Sequence, residues 1–127
     1  MVIEHHVSGY EDFKKFMADF DSDGKNIHVY FTGTKLPSGN SWCEDCQRAY
    51  PVLQEALVST KTSSHLIYVE VGDRPIWKDI NNSFRKDPET NLLVIPTLIR
   101  WKGPQKLEGY QCEKKELVEM LLTDDED

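Results

Sequence analysis

Two stretches, residues 27–31 and 65–71, are apolar or aromatic almost without interruption, and a pattern of helical period lies between them. Ile27, Val29 and Phe31, with His28 and Tyr30 between, read as a strand buried on both faces. His65 to Val71, rich in Ile67, Tyr68, Val69 and Val71, reads the same way. From Trp42 onward Ala49, Val52, Leu53, Ala56 and Leu57 recur on one side of a helix that carries Pro51 inside it, where a kink is expected. A strand, a crossover helix and a second strand favour parallel pairing in a sheet covered by helices.

The flanks extend this unit. Residues 2–7 form a short edge strand, and Ser8 with Glu11 has the spacing of a capping box ahead of Tyr10, Phe13, Phe16, Met17 and Phe20. Asp21-Ser22-Asp23-Gly24 stops that helix, and Thr32 to Ser41 is a loop. Residues 73–91 are polar and hold one short helix anchored by Trp77 and Phe84. Leu92–Ile95 and Thr97–Trp101 are strand-like on either side of Pro96, Lys106–Tyr110 is an edge strand, and Glu113–Leu122 is a closing helix. The expected order is βαβαβαββα: an α/β fold with a central mixed sheet, an antiparallel hairpin at its edge, and helices on both faces.

A chain of 127 residues argues for one domain spanning 1–127, with the acidic tail 124–127 frayed. Fifteen Lys and Arg against twenty-two Asp and Glu give a net charge of −7, which argues against a partner with a phosphate backbone; no nucleic-acid binding is expected. No apolar run reaches the roughly 18 residues of a membrane span. Glu4, His5 and His6 stand where a signal peptide needs an apolar stretch, so a cytoplasmic location is expected. Three Cys is an odd number, and Cys43 and Cys46 are too close in sequence to staple a fold.

Cys43-Glu44-Asp45-Cys46 opens the Pro51 helix. A Cys at a helix N-terminus meets unpaired amides and the positive end of the helix dipole, which favour a thiolate. A second Cys one turn inside can close a disulfide with it, and such a pair cycles between dithiol and disulfide. Half of a zinc site and a chance pair of core thiols are the competing readings; zinc wants four ligands, and only Cys112 and dispersed His are left to complete it. Pro96, between two strand-like runs, fits a strand end or a cis bend beside the Cys pair, leaving the Ile95 backbone to pair with a substrate strand. Trp42 reads as a rim aromatic beside the thiols.

Trp-Cys-x-x-Cys on a helix, a proline five residues later, and Ile95-Pro96-Thr97 before the last hairpin resemble the thioredoxin superfamily. Tyr30-Phe31-Thr32-Gly33, Trp77-Lys78-Asp79, Phe84-Arg85-Lys86 and Pro104-Gln105-Lys106-Leu107 are similar to a subfamily of small cytosolic thioredoxin-related proteins. The resemblance implies a thioredoxin fold and a disulfide reductase, with Cys43 as nucleophile, Cys46 as resolving thiol and Pro96 as the cis-proline. It implies no bound cofactor or metal, electrons from NADPH through thioredoxin reductase, and small disulfides such as cystine as substrates. Nitrosothiol and persulfide reduction, peroxiredoxin recycling and dynein light chain binding come with the same resemblance. A monomer is expected. The alternative is a thioredoxin-like adaptor with incidental thiols.

Two departures stand out. Glu44 replaces the family Pro after the first Cys, and its carboxylate is expected to raise the Cys43 pKa. Tyr30 stands where ordinary thioredoxins carry a buried Asp, which leaves Asp45 as the nearest carboxylate for proton transfer. Thr32–Ser41 and residues 73–91 are both expected to rim the thiols and narrow access to them.

Overall fold

The computed structural model describes residues 1–123, and the acidic tail 124–127 lies outside the described residues. Five strands form a mixed sheet: β1 (Val2–Ser8), β2 (Asn26–Thr32), β3 (Ser64–Glu70), β4 (Thr97–Arg100) and β5 (Lys106–Glu108), in the spatial order β1-β3-β2-β4-β5. β1 and β2 flank β3 in parallel, β4 runs antiparallel to β2, and β5 antiparallel to β4. With a parallel neighbour on each side, β3 is buried from Ser64 through Val69. That double burial is why its sequence is apolar without alternation.

Helix α1 (Tyr10–Asp19) carries the chain from β1 past β3 to β2, and α2 (Glu44–Ser59) carries it back from β2 to β3. Right-handed crossovers made in opposite directions across a sheet place their helices on opposite faces. Accordingly Phe13 of α1 packs with Val29, Phe31, Ile67 and Val69. Ala49, Leu53 and Ala56 of α2 pack with Tyr30, Leu66 and Tyr68. Helix α5 (Lys115–Thr123) adds Val118, Leu121 and Leu122 to this second face. The expected α/β architecture stands: a central mixed sheet with helices on both faces. Among the described residues no helix is long and apolar enough to cross a membrane.

Several local expectations need correcting. Ser8 does not cap α1: it continues β1 opposite Glu70, and its hydroxyl donates to Glu70 Oε1 at 3.2 Å. Gly9, at φ +89°, makes the turn and takes the cap position. Residues 73–91 hold two short helices, α3 (Arg74–Lys78) and α4 (Ser83–Lys86), each started by a side-chain cap. Asp73 accepts from the Ile76 amide at 3.2 Å and Asn82 from the Phe84 amide at 2.8 Å. Leu92–Ile95 is not a strand: Leu92 is buried, Leu93 and Val94 are exposed, and no ladder pairs them. β5 ends at Glu108 because Gly109, at φ +60°, turns the chain into a 3-10 helix over Gly109–Glu113. The last helix therefore starts at Lys115 rather than at Glu113.

Candidate active site

β2 delivers the chain to the C-terminal edge of its sheet, where its neighbours β3 and β4 are reached by different routes; α/β sheets bind ligands at such a place. A reversal through residues 33–43 then starts α2 with Cys43 as the N-cap, so Trp42 lies outside the helix that was expected to begin there. Cys43 Sγ accepts the Cys46 amide at 3.2 Å, doing with sulfur what a Ser or Asp oxygen does at other helix starts. Ser41 Oγ accepts the Cys43 amide at 3.1 Å, and Gln47 Nε2 donates to Ser41 O at 2.6 Å, which fixes the approach to the helix. Trp42 donates its indole N–H to Gly72 O at 2.9 Å.

The two thiols differ. Cys46 is 1% exposed and Cys43 8%, so a substrate sulfur reaches Cys43 first. A hydrogen bond from the Cys46 thiol is the largest cause that lowers the Cys43 pKa, to about 7; the Cys46 and Asp45 amides add to it, while burial and the Asp45 charge oppose it. The same thiol–thiol bond, together with burial, drives the Cys46 pKa well up, against the Gly33 amide and the Thr32 side chain. The Gly33 N–H lies 3.5 Å from Cys46 Sγ. A Cβ on Gly33 would come within 2.7 Å of Ser41 Oγ, 3.0 Å of Trp42 Cε2 and 3.1 Å of Cys43 Cβ, so the close approach requires glycine.

Opposite the helix, the Ile95–Pro96 peptide is cis, as the sequence led us to expect. The Ile95 carbonyl oxygen lies 4.0 Å from Cys43 Sγ. A groove of about 510 Å³ opens on Cys43, lined by Trp42, Glu44 and Asp45 together with Arg74, Trp77, Lys78, Arg85 and Leu93–Ile95. Cys43, Cys46 and Cys112 are all free thiols. Among the described residues no group of three His, Cys, Asp or Glu side chains is placed to hold a metal ion.

Residues 6–124 match the family described as thioredoxin domain-containing protein 17-like, thioredoxin domain. The chain belongs to that family. It is 45% identical to thioredoxin domain-containing protein 17 of Danio rerio, over 94% of each chain, and 43% identical to that of Homo sapiens, over 96% of each. The thioredoxin-like protein Clot of Arabidopsis thaliana is 34% identical, over 87% of this chain and 85% of its own. Among solved structures, oxidised thioredoxin O1 from Arabidopsis thaliana superposes over 94% of this chain and 98% of its own, with TM-score 0.58 and 24% identity. Reduced Schistosoma mansoni thioredoxin does so over 94% and 95%, with TM-score 0.57 and 15% identity. These likenesses establish the thioredoxin fold. Family, fold and the adjacent Cys43 and Cys46 support thiol oxidoreductase chemistry in general.

Within this thioredoxin domain-containing protein 17-like site, the structure brings together Trp42, Cys43, Cys46, Ile95 and Pro96. Asp45 sits on the exposed side of α2, where Arg48 pairs with its carboxylate and reaches on to Glu113 at 3.5 Å. Among the largest influences on Cys43, the carboxylate that opposes its thiolate is Asp45. Tyr30 is 1% exposed, and burial, with the nearby Cys46, Cys112 and Cys43, holds its pKa well above 10. Cys112 is buried in the 3-10 helix, its thiol 3.5 Å from Leu107 O, and burial pushes its pKa up to about 12.

The rim differs from expectation in one part. α3, α4 and residues 93–95 wall the groove, whereas Lys35, Gly39 and Asn40 line a separate cleft of about 900 Å³ that reaches Cys46. Sequence reasoning missed Gly33 and Thr32 as partners of Cys46 and Arg74, Lys78 and Arg85 as groove residues. The Tyr30–Gly33 stretch was a usable signal for the first pair, and Trp77-Lys78-Asp79 and Phe84-Arg85-Lys86 for two of the cations; Arg74 had none, because a short helix brings it in from elsewhere in the chain.

Proposed function

We propose that the protein is a thiol–disulfide reductase working through a Cys43/Cys46 dithiol–disulfide cycle. One observation carries the reading: the more exposed Cys43 caps α2, its Sγ accepting the Cys46 amide at 3.2 Å, while Cys46 lies buried one turn inside, an arrangement that lowers the Cys43 pKa and raises that of Cys46. At neutral pH Cys43 is then about half thiolate while Cys46 keeps its proton. Cys43 Sγ attacks one sulfur of a substrate disulfide, forming a mixed disulfide and expelling a thiolate that takes a proton from solvent. Cys46 gives up its proton and attacks Cys43 Sγ; the second substrate thiolate leaves and the Cys43–Cys46 disulfide closes. Two electrons pass from the protein to the substrate.

Trp42 and the Ile95–Pro96 backbone form the substrate walls in this reading. Asp45 in this reading acts through its charge on Cys43, an effect that its exposed pairing with Arg48 moderates. The substrates are small disulfides such as cystine and selected protein disulfides, in the cytoplasm, with the protein a monomer. Electrons come from NADPH through thioredoxin reductase, and peroxiredoxin and dynein light chain are partners carried over from the family resemblance.

Cys46→Ser is expected to accumulate mixed disulfides with substrate, since the resolving attack is lost. Cys43→Ser traps none, and Cys112→Ser turns over nearly normally, measured with NADPH, thioredoxin reductase and cystine or insulin. Equal trapping by the Cys43→Ser and Cys46→Ser variants overturns the roles. No turnover of any disulfide leaves the adaptor as the better account.

A further inference from the structure

On this reductase reading, we propose that Arg74, Lys78 and Arg85 form a carboxylate-binding wall that makes the site select anionic small disulfides. Some cations of the molecule are matched by carboxylates: Lys14 by Asp87 at 2.9 Å and Glu89 at 3.1 Å, Arg48 by Asp45 and Glu113, Lys106 by Glu108 at 3.5 Å, Lys115 by Glu55 and Glu119 at 3.8 Å. Among the described residues no carboxylate ion-pairs with Arg74, Lys78 or Arg85, yet all three line the groove that opens on Cys43. Aromatic rings hold two of them without neutralising them. The Arg74 guanidinium lies 4.9 Å from the Trp42 ring centre, and that of Arg85 lies 3.8 Å from the Trp77 ring centre. Arg85 Nε also donates to Trp77 O at 3.0 Å, which orients the guanidinium. Glu44 and Asp45 line the same groove, and Asp45 is paired with Arg48, so the three cations outnumber the carboxylates there. In a chain of net charge −7 this leaves a locally positive groove at the reacting sulfur.

A disulfide that bears carboxylates two carbons from its sulfurs places them against this wall while Cys43 attacks. The test needs no electron donor, because the reduced protein itself supplies the two electrons of a single turnover. Dithiodipropionate, bis-hydroxyethyl disulfide and cystamine have the same sulfur-to-terminus spacing and end in carboxylates, hydroxyls and ammonium groups. Each rate of thiol loss from the pre-reduced protein is divided by the rate with mercaptoethanol, which removes intrinsic reactivity. At low salt the normalised rate for dithiodipropionate is expected to exceed that for cystamine about tenfold. Any change in the Cys43 pKa alters all three rates together and cancels in the ratio.

Arg74→Glu with Lys78→Glu brings the ratio to about one or below. Both side chains are exposed, so the fold tolerates the change. Lys61→Glu, with its charge reversal placed before β3 at the far end of the strands, leaves the ratio intact. Roughly 0.5 M salt also collapses the wild-type ratio, a readout that needs no variant. A wild-type ratio within about twofold of one, or one that neither salt nor the double variant moves, overturns the proposal while the reductase reading stands. No reaction with any of the three disulfides overturns both.

Discussion

At the scale of single residues, the site turns a structural device into a chemical one. A helix start needs an acceptor for its free amides, and Cys43 supplies a sulfur that those amides hold as thiolate. Its pKa of about 7 is the outcome of the Cys46 thiol's hydrogen bond and that amide support against burial and the Asp45 charge. Asp45→Asn removes the opposing charge and releases Arg48, so the pKa is expected to move below 7, seen as an acid shift in the pH profile of alkylation at Cys43. An unchanged or higher midpoint removes Asp45 from the account. At this scale the Cys pair and Pro96 were legible because their meaning is local: a spacing of three on a helix, and a proline between strand-like runs. In the sequence Gly33 stands in a loop and closes the Tyr30–Gly33 stretch of the family resemblance, with no contact assigned to it. Its role depends on Ser41, Trp42 and Cys43 folding back over it, a contact that no pattern of spacing announces.

At the scale of elements, long segments with both faces buried were readable and short ones were not. β2 and β3 show as continuous apolar runs because helices cover both sides of the sheet. α3 and α4 span five and four residues, too few to display a period, and their caps define them instead. Leu92–Ile95 has strand composition but contributes two buried side chains, Leu92 and Ile95, and a stretch of groove wall. Asn82 is the joint of this region. Its Oδ1 caps α4 at Phe84, and its Nδ2 donates to Ile76 O of α3 at 3.0 Å, in a position only 8% exposed. Asn82→Ala removes the cap and the link to Ile76 O, a loss of about 1–2 kcal/mol in stability. A fall in urea midpoint at unchanged slope checks it; a shift under about 0.5 kcal/mol shows that α3 and α4 hold together without the joint.

At the scale of the whole molecule, the charge of −7 and the sheet's burial set how the fold meets acid. His28 lies in β2 with no exposed surface, opposite Arg100 of β4. Burial, helped by the Arg100 charge, lowers its pKa to about 4 from an ordinary 6.5. The neutral ring is therefore the form the fold accepts. Above pH 6.5 folded and unfolded chains both carry it neutral, and no stability is lost. As pH falls from 6.5 toward 4 the unfolded chain binds a proton that the folded chain refuses, so stability drops across that window and levels below it. The shift corresponds to about 3 kcal/mol, a visible share of the stability of a domain this size. His5, whose pKa burial also lowers, adds to the same limb, whereas Asp87, held below the usual carboxylate range despite burial by Lys14, acts at lower pH. His28→Leu fills the position with an apolar side chain of similar size and separates these contributions. Urea unfolding of wild type and variant at a series of pH values should converge near neutrality in slope against pH. Between pH 6.5 and 4 the variant should lose less stability, by up to about 3 kcal/mol. Parallel profiles through that window would mean that the sheet takes up the His28 proton without cost.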